Sequence, residues 1–130
     1  MDPAVLQGVD VLVVDDDPDV RDLVQFILAQ CGAQVRTAAS AAEALEAISQ
    51  ALPDVLISDI GMPEEDGYSL IRKVRAREAS RGRHIQALAL TAWGSAEDRQ
   101  RALAAGFQTH LAKPVQPETL ARVVAGLSHG

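Results

Sequence analysis

Asp15, Asp16, Asp59, Thr91 and Lys113 are residue types that combine into one kind of chemistry. Each follows a short apolar run, so each can stand at the end of a buried strand. Asp15 and Asp16 close the run from Val9 to Val14, and Asp59 closes Val55-Leu56-Ile57-Ser58. Thr91 closes the run from Ile85 to Leu90, and Lys113 comes shortly after Phe107-Gln108-Thr109-His110-Leu111. Carboxylates held within a few ångströms repel one another and shift one another's pKa. A divalent cation relieves that repulsion. Oxygen-only ligands favour a hard ion such as Mg²⁺ (or Mn²⁺), which takes one or two carboxylates plus waters and phosphate oxygens. A lysine supplies a point charge for a phosphoryl oxygen, and a threonine hydroxyl donates one hydrogen bond to an anion. These are parts for phosphoryl transfer, which needs positioning and charge neutralisation. In such chemistry Asp59 is the nucleophile and an acyl phosphate is its product.

The elements that must position these groups alternate along the chain. After the first strand, Asp17 is placed to cap a helix that begins at Pro18. Val20, Leu23, Val24, Ile27, Leu28 and Cys31 recur at helical spacing, and Gly32 stops the helix. Gln34 to Ala38 alternates polar and apolar, as an edge strand does, and Ser40-Ala41-Ala42-Glu43 is a capping box for the second helix. The loop from Ile60 to Gly67 is rich in turn residues, and a third helix is predicted after it, with Leu70, Ile71 and Val74 inward. Ser95-Ala96-Glu97-Asp98 caps a fourth helix that stops near Gly106, and a fifth begins near Pro117. The charged faces of the third and fourth helices read as solvated surface, and His84 and His129 as surface residues.

Strict β-α alternation builds an α/β fold, a doubly wound parallel sheet with helices on both faces. Strands one, three and four are the most apolar and are expected at the centre. The order 2-1-3-4-5 satisfies this and puts a switch point between strands one and three, where ligands of open α/β sheets bind. The chain has 130 residues and reads as a single domain, with a core over about 8–127 and loose ends at 1–7 and 128–130.

Composition narrows the function classes. Net charge is −6 with no basic cluster, and aromatics are only 3%, so nucleic-acid binding by this chain is not expected. No apolar run is long enough for a membrane span, and no signal peptide is visible at Met1-Asp2-Pro3. The single cysteine, Cys31, reads as a small buried hydrophobe, which suits a cytoplasmic protein.

The chain resembles the receiver domain of two-component response regulators, a flavodoxin-like five-fold β-α design. The resemblance covers roughly residues 8–127. It rests on Val13-Val14-Asp15-Asp16-Asp17, on Ser58-Asp59-Ile60-Gly61-Met62-Pro63 with Asp66-Gly67, on Leu90-Thr91-Ala92 and on Lys113-Pro114. It implies that Asp59 accepts a phosphoryl group from a histidine kinase or a histidine phosphotransfer protein. Asp16, Asp59 and the Gly61 backbone carbonyl then bind Mg²⁺, Asp15 holds metal-bound water, and Thr91 and Lys113 contact the phosphoryl oxygens. It further implies a cis Lys113-Pro114 bond and a donor docking near the first helix and the loop after strand five. Output is expected through the face made by the fourth helix, fifth strand and fifth helix. A monomer or a weak phosphorylation-dependent dimer is expected.

Two positions bear on how the resemblance carries over. His110 stands where the family often has a switch tyrosine or phenylalanine, and a muted switch is one reading; an ordinary edge-strand histidine is the other. Trp93 and Gly61 flank the expected phosphoryl site, and Trp93 either shields an acyl phosphate from water or packs as an ordinary loop tryptophan. No output segment is read after the fifth helix, so a stand-alone regulator and a receiver from a hybrid histidine kinase both fit. No enzyme acting on an independent substrate is expected. The rivals are a degenerate receiver that only docks, an aspartate-nucleophile phosphohydrolase and a flavodoxin-like nucleotide binder. The hydrolase fits the spacing of Asp15 and Asp17 but wants a threonine or valine where Pro18-Asp19 stands. The nucleotide binder wants a Gly/Ser/Thr-rich loop where three acids stand, and acids repel phosphate.

Overall fold

The computed structural model describes residues 4–82, 84–92 and 96–129. Within them strands and helices alternate without exception. The strands are β1 (Asp10–Val14), β2 (Gln34–Ala38), β3 (Val55–Asp59), β4 (Gln86–Thr91) and β5 (Thr109–Ala112). The helices are α1 (Pro18–Gln30), α2 (Ala41–Gln50), α3 (Gly67–Ala79), α4 (Ala96–Ala105) and α5 (Pro117–His129). The sheet is parallel throughout, in the order β2-β1-β3-β4-β5.

The two-residue alternation of a strand divides its side chains between two cores. Leu12, Val14, Leu56, Ala87 and Ala89 face a cluster completed by Ala44 and Ile48 of α2, Leu70, Ile71 and Val74 of α3, and Ala102 of α4. Val11, Val13, Val55, Ile57, Leu88 and Leu90 face the other side, against Val24, Ile27 and Leu28 of α1 and Leu120 and Val124 of α5. Every residue of β3 is buried, whereas β2 and β5 are mixed edge strands.

The caps fall where the sequence puts them. Asp17 accepts a hydrogen bond from the Asp19 amide at 2.9 Å, with Pro18 as the first helical residue. The Ser40 hydroxyl accepts from the Glu43 amide at 3.2 Å. Asp66 caps α3 by accepting from the Ser69 amide at 2.9 Å, so the helix begins at Gly67 rather than after it. Ser95, expected in the cap of α4, and Arg83 lie outside the described residues.

Several expectations need correction. Leu23, expected on the inward stripe of α1, is 45% exposed, because Val24, Ile27 and Leu28 already fill the face that meets the sheet. Leu6, expected in a loose end, is fully buried, and its amide donates to the Cys31 carbonyl at 2.8 Å. α5 continues through His129. β5 starts at Thr109 because the Phe107 amide is taken by the end of α4, donating to the Ala102 carbonyl at 3.0 Å. The charged face of α3 is not simply solvated. Glu78 is 8% exposed, and its carboxylate accepts from Arg75 at 3.0 and 2.9 Å and from the Ile85 amide at 2.8 Å. His84, at the surface as expected, stands 3.2 Å from the Glu78 carboxylate.

Candidate functional site

The parallel ladder brings the carboxyl ends of β1, β3, β4 and β5 to one rim. Beyond the strands, backbone bonds carry the ladder into the loops. The Asp15 amide donates to Ala38, the Ile60 amide to Leu90 and the Lys113 amide to Thr91, at 3.2, 3.1 and 2.7 Å. These bonds fix where each side chain starts. The Lys113-Pro114 peptide is cis, as the resemblance implied.

At that rim Asp15, Asp16, Asp59, Gly61, Thr91 and Lys113 line one cavity of about 400 Å³. Lys113 Nζ stands between two acids, 2.9 Å from Asp15 Oδ2 and 3.1 Å from Asp59 Oδ1. The Asp15 contact is short but lies off the hydrogen-bond direction, so it is an ion pair more than an aligned bond. Asp15 Oδ1 accepts from the Asp17 amide at 2.9 Å, and Asp59 Oδ1 accepts from the Gly61 amide at 3.3 Å. Asp15 is fully buried and Asp59 is 6% exposed, while Asp16 is open to solvent. The Thr91 hydroxyl oxygen is buried with no hydrogen-bond partner among the described residues.

Electrostatics follow from this burial. Loss of solvation pushes the Asp15 carboxyl above its ordinary value, and the charge of Asp59 adds to the rise; the Asp17 amide and Lys113 oppose it. Burial acts to lower Lys113, but its close contacts with the Asp15 and Asp59 carboxylates outweigh that and hold it above the ordinary lysine value. The rim therefore sets three carboxyl groups beside one lysine.

The donor set fits a hard cation. One carboxylate oxygen from each of Asp15, Asp16 and Asp59 lies within 4.8 Å of the others. Such an all-oxygen group suits Mg²⁺ better than a softer ion.

His110 sits on β5 opposite Ala89 of β4 and is not among the residues that line the cavity. Trp93 lies outside the described residues. Tyr68 of α3 and Asp98 of α4 also line the cavity, beyond the residues expected from the sequence. The only sequence signal for either is its place in the first turn of a helix that follows a site loop. Arg21 of α1 also went unread; its guanidinium donates to the Asp15 carbonyl at 2.7 Å and braces that loop.

Known proteins are similar to this chain in sequence and in fold. A curated protein of Leptolyngbya boryana, "Uncharacterized 14.6 kDa protein in sodA1 3'region", is 50% identical over 119 residues, covering 92% of this chain and 89% of that protein. Response regulator Rre1 of Synechocystis is 38% identical over 122 residues, 93% of this chain and 52% of Rre1. Sensor histidine kinase RcsC of Salmonella typhimurium is 36% identical over 115 residues, 88% of this chain but 12% of the kinase. The chain thus spans about half or less of the length of the last two. Among solved structures, chemotaxis protein CheY4 of Vibrio cholerae superposes with a TM-score of 0.85 at 35% identity, covering 92% of this chain and 98% of CheY4. The receiver domain of Francisella response regulator 1452 gives 0.85 at 28% identity, covering 94% and 98%. The response regulator receiver domain family itself matches residues 11–125, which takes in every strand residue but Asp10 and the whole acidic rim, and the chain belongs to that family.

Proposed function

We propose that this chain is a phosphoacceptor in two-component or phosphorelay signalling, taking a phosphoryl group onto Asp59 from a phosphohistidine on a kinase or phosphotransfer protein. One observation carries the reading: Lys113 bridges Asp15 and Asp59 across a cavity that also holds the unpartnered Thr91 hydroxyl. Asp16 and Asp59, with the Gly61 carbonyl and Asp15 through water, would hold Mg²⁺. Once bound, Mg²⁺ supplies the positive charge that neutralises the clustered carboxylates and the phosphoryl oxygens.

An Asp59 carboxylate oxygen attacks phosphorus, and the bond from phosphorus to the donor imidazole nitrogen breaks. That nitrogen keeps the electron pair; the ring leaves as neutral imidazole when its other nitrogen already carries a proton, and otherwise takes one proton from solvent as it leaves. Lys113 follows the charge from the carboxylate to the phosphoryl oxygens. The Thr91 hydroxyl gains an acceptor on the same group and is drawn toward it. That movement is passed to the α4-β5-α5 face, which meets a downstream protein. Asp59 is the one group modified, and no independent substrate is turned over. The reading places the protein in the cytoplasm, beside its donor; no helix among the described residues is long and apolar enough to cross a membrane.

Acetyl phosphate with Mg²⁺ tests the reading by intact mass. The wild type gains one phosphoryl group, and Asp59→Asn gains none while keeping its circular dichroism. Uptake by Asp59→Asn, or none by the wild type from either acetyl phosphate or a phosphohistidine protein, overturns it.

A further inference from the structure

The acceptor cavity has a wall that this reading does not use. Tyr68, in the first turn of α3, and Asp98, in the first turn of α4, line it together with Asp59, Thr91 and Lys113. Tyr68 is only 4% exposed. The guanidinium of Arg101 lies over its ring, 4.3 Å from the centroid, a cation–π contact. Asp98 and Arg101 are three residues apart on α4 and so share one side of it. Burial raises the Tyr68 hydroxyl above its ordinary value, and the two charges of α4 act on it with opposite sign: Arg101 lowers it and Asp98 raises it. So α4 presents an anion at the lining of the cavity and a cation on the ring behind that lining.

We propose that α4 reads the charge on Asp59 through Asp98 and Arg101, acting as positioning residues. The proposal rests on Asp59 being the phosphoacceptor. Phosphorylation brings up to about two negative charges into the space that Asp98 lines. Asp98 is repelled while Arg101, held on Tyr68, is attracted. The first turn of α4 is driven away from the cavity and the next turn is kept against α3, so the helix tilts. Coupling of this kind is reciprocal: whatever free energy the anion spends on displacing α4, the resting position of α4 withholds from anion binding. Neutralising Asp98 therefore tightens anion binding, and neutralising Arg101 weakens it. A purely structural role for this wall would make both substitutions act in the same direction.

Beryllofluoride, an acyl-phosphate analogue, tests the pair on the full chain with Mg²⁺ present, read by affinity and by α4 amide shifts in NMR. Asp98→Asn should bind about fivefold more tightly than the wild type, and Arg101→Gln about fivefold more weakly. The α4 amides should move less on binding in Asp98→Asn. Both substitutions are at positions that are not fully buried, and Asn is nearly isosteric with Asp, so the fold should survive. If both variants bind more weakly, or neither differs from wild type and the α4 amides respond equally, the proposal is overturned while the acceptor reading stands. A wild type that binds Mg²⁺ but never beryllofluoride removes the acceptor reading, and this proposal with it.

Discussion

Asp15 concentrates the conflict at the site. It is fully buried, faces another carboxylate, and has one lysine to share with it. Its folded-state pKa lies above its ordinary value, burial being the main cause. The folded protein therefore keeps this proton at pH values where the unfolded chain has already released it. Without metal, stability from this group falls as pH rises from the ordinary value through the raised one, and the deficit persists at neutral pH. Asp15→Asn keeps an oxygen for the Asp17 amide and leaves Lys113 paired with Asp59. It should raise the melting temperature of the metal-free protein at neutral pH by a few degrees and reduce any further rise on adding Mg²⁺. Calorimetry in chelator and then in Mg²⁺ checks both; a lower metal-free melting temperature would contradict the account. The identities of Asp15, Asp16, Asp59, Thr91 and Lys113 were legible in the sequence because each interrupts or ends an apolar run. The burial of Asp15 and the bracing by Arg21 were not, since both depend on what neighbouring elements bring.

At the scale of elements, the loop from β3 to α3 decides where Asp59 points. Gly67 opens α3 with its backbone pressed against the start of that loop. A Cβ there would collide with the Asp59 carbonyl oxygen and stand 2.9 Å from the Ile60 Cα, and both are backbone atoms that cannot step aside cheaply. The Gly67 amide also donates to the Ile60 carbonyl at 2.9 Å, which closes the loop on itself. Gly67→Ala should therefore cost about 2 kcal/mol of stability, the order expected for overpacking, and shift Asp59 out of register with Lys113. Urea unfolding measures the first effect and Mg²⁺ affinity the second; unchanged values of both would show that the loop yields. Strand and helix order was readable from periodicity, but element ends were less so. Phe107 looked like strand because it is apolar and follows a glycine. In the fold its amide completes α4 and its ring enters the core, so β5 begins later.

At the scale of the whole molecule, a clasp joins distant segments at the rim opposite the site. Arg75 of α3 donates to the Gly106 carbonyl at 3.0 and 2.8 Å, to Gln108 at 3.1 Å, and to Glu78. Gln108 in turn accepts from the Ala87 amide at 2.6 Å. One guanidinium thus ties α3 to β4 and to the turn between α4 and β5, while the cavity lined by Asp59 sits at the other end of the same strands. Arg75→Met leaves the buried Glu78 carboxylate without its main partner, at a cost of about 3 kcal/mol. A second change, Glu78→Met, should recover much of that cost by removing the stranded charge. Denaturant unfolding of the two single variants and the double variant checks the cycle; strict additivity would show that the pair is not coupled.

The amino-acid order alone determined the alternating β-α plan, the sheet order and the identity of the acidic residues gathered at one rim. Apolar period and strand-ending polar residues are local signals, and strict alternation leaves few topologies. Only the tertiary structure decided which charges are buried, which are clasped, and which helix faces share the rim cavity. Arg75 and Glu78 look like any surface pair until Gly106 and Gln108 arrive from thirty residues away. Tyr68, Asp98 and Arg101 acquire a place at the site only when α3 and α4 pack side by side. Such roles belong to juxtaposition across the fold, and a chain read in order carries no local mark of them.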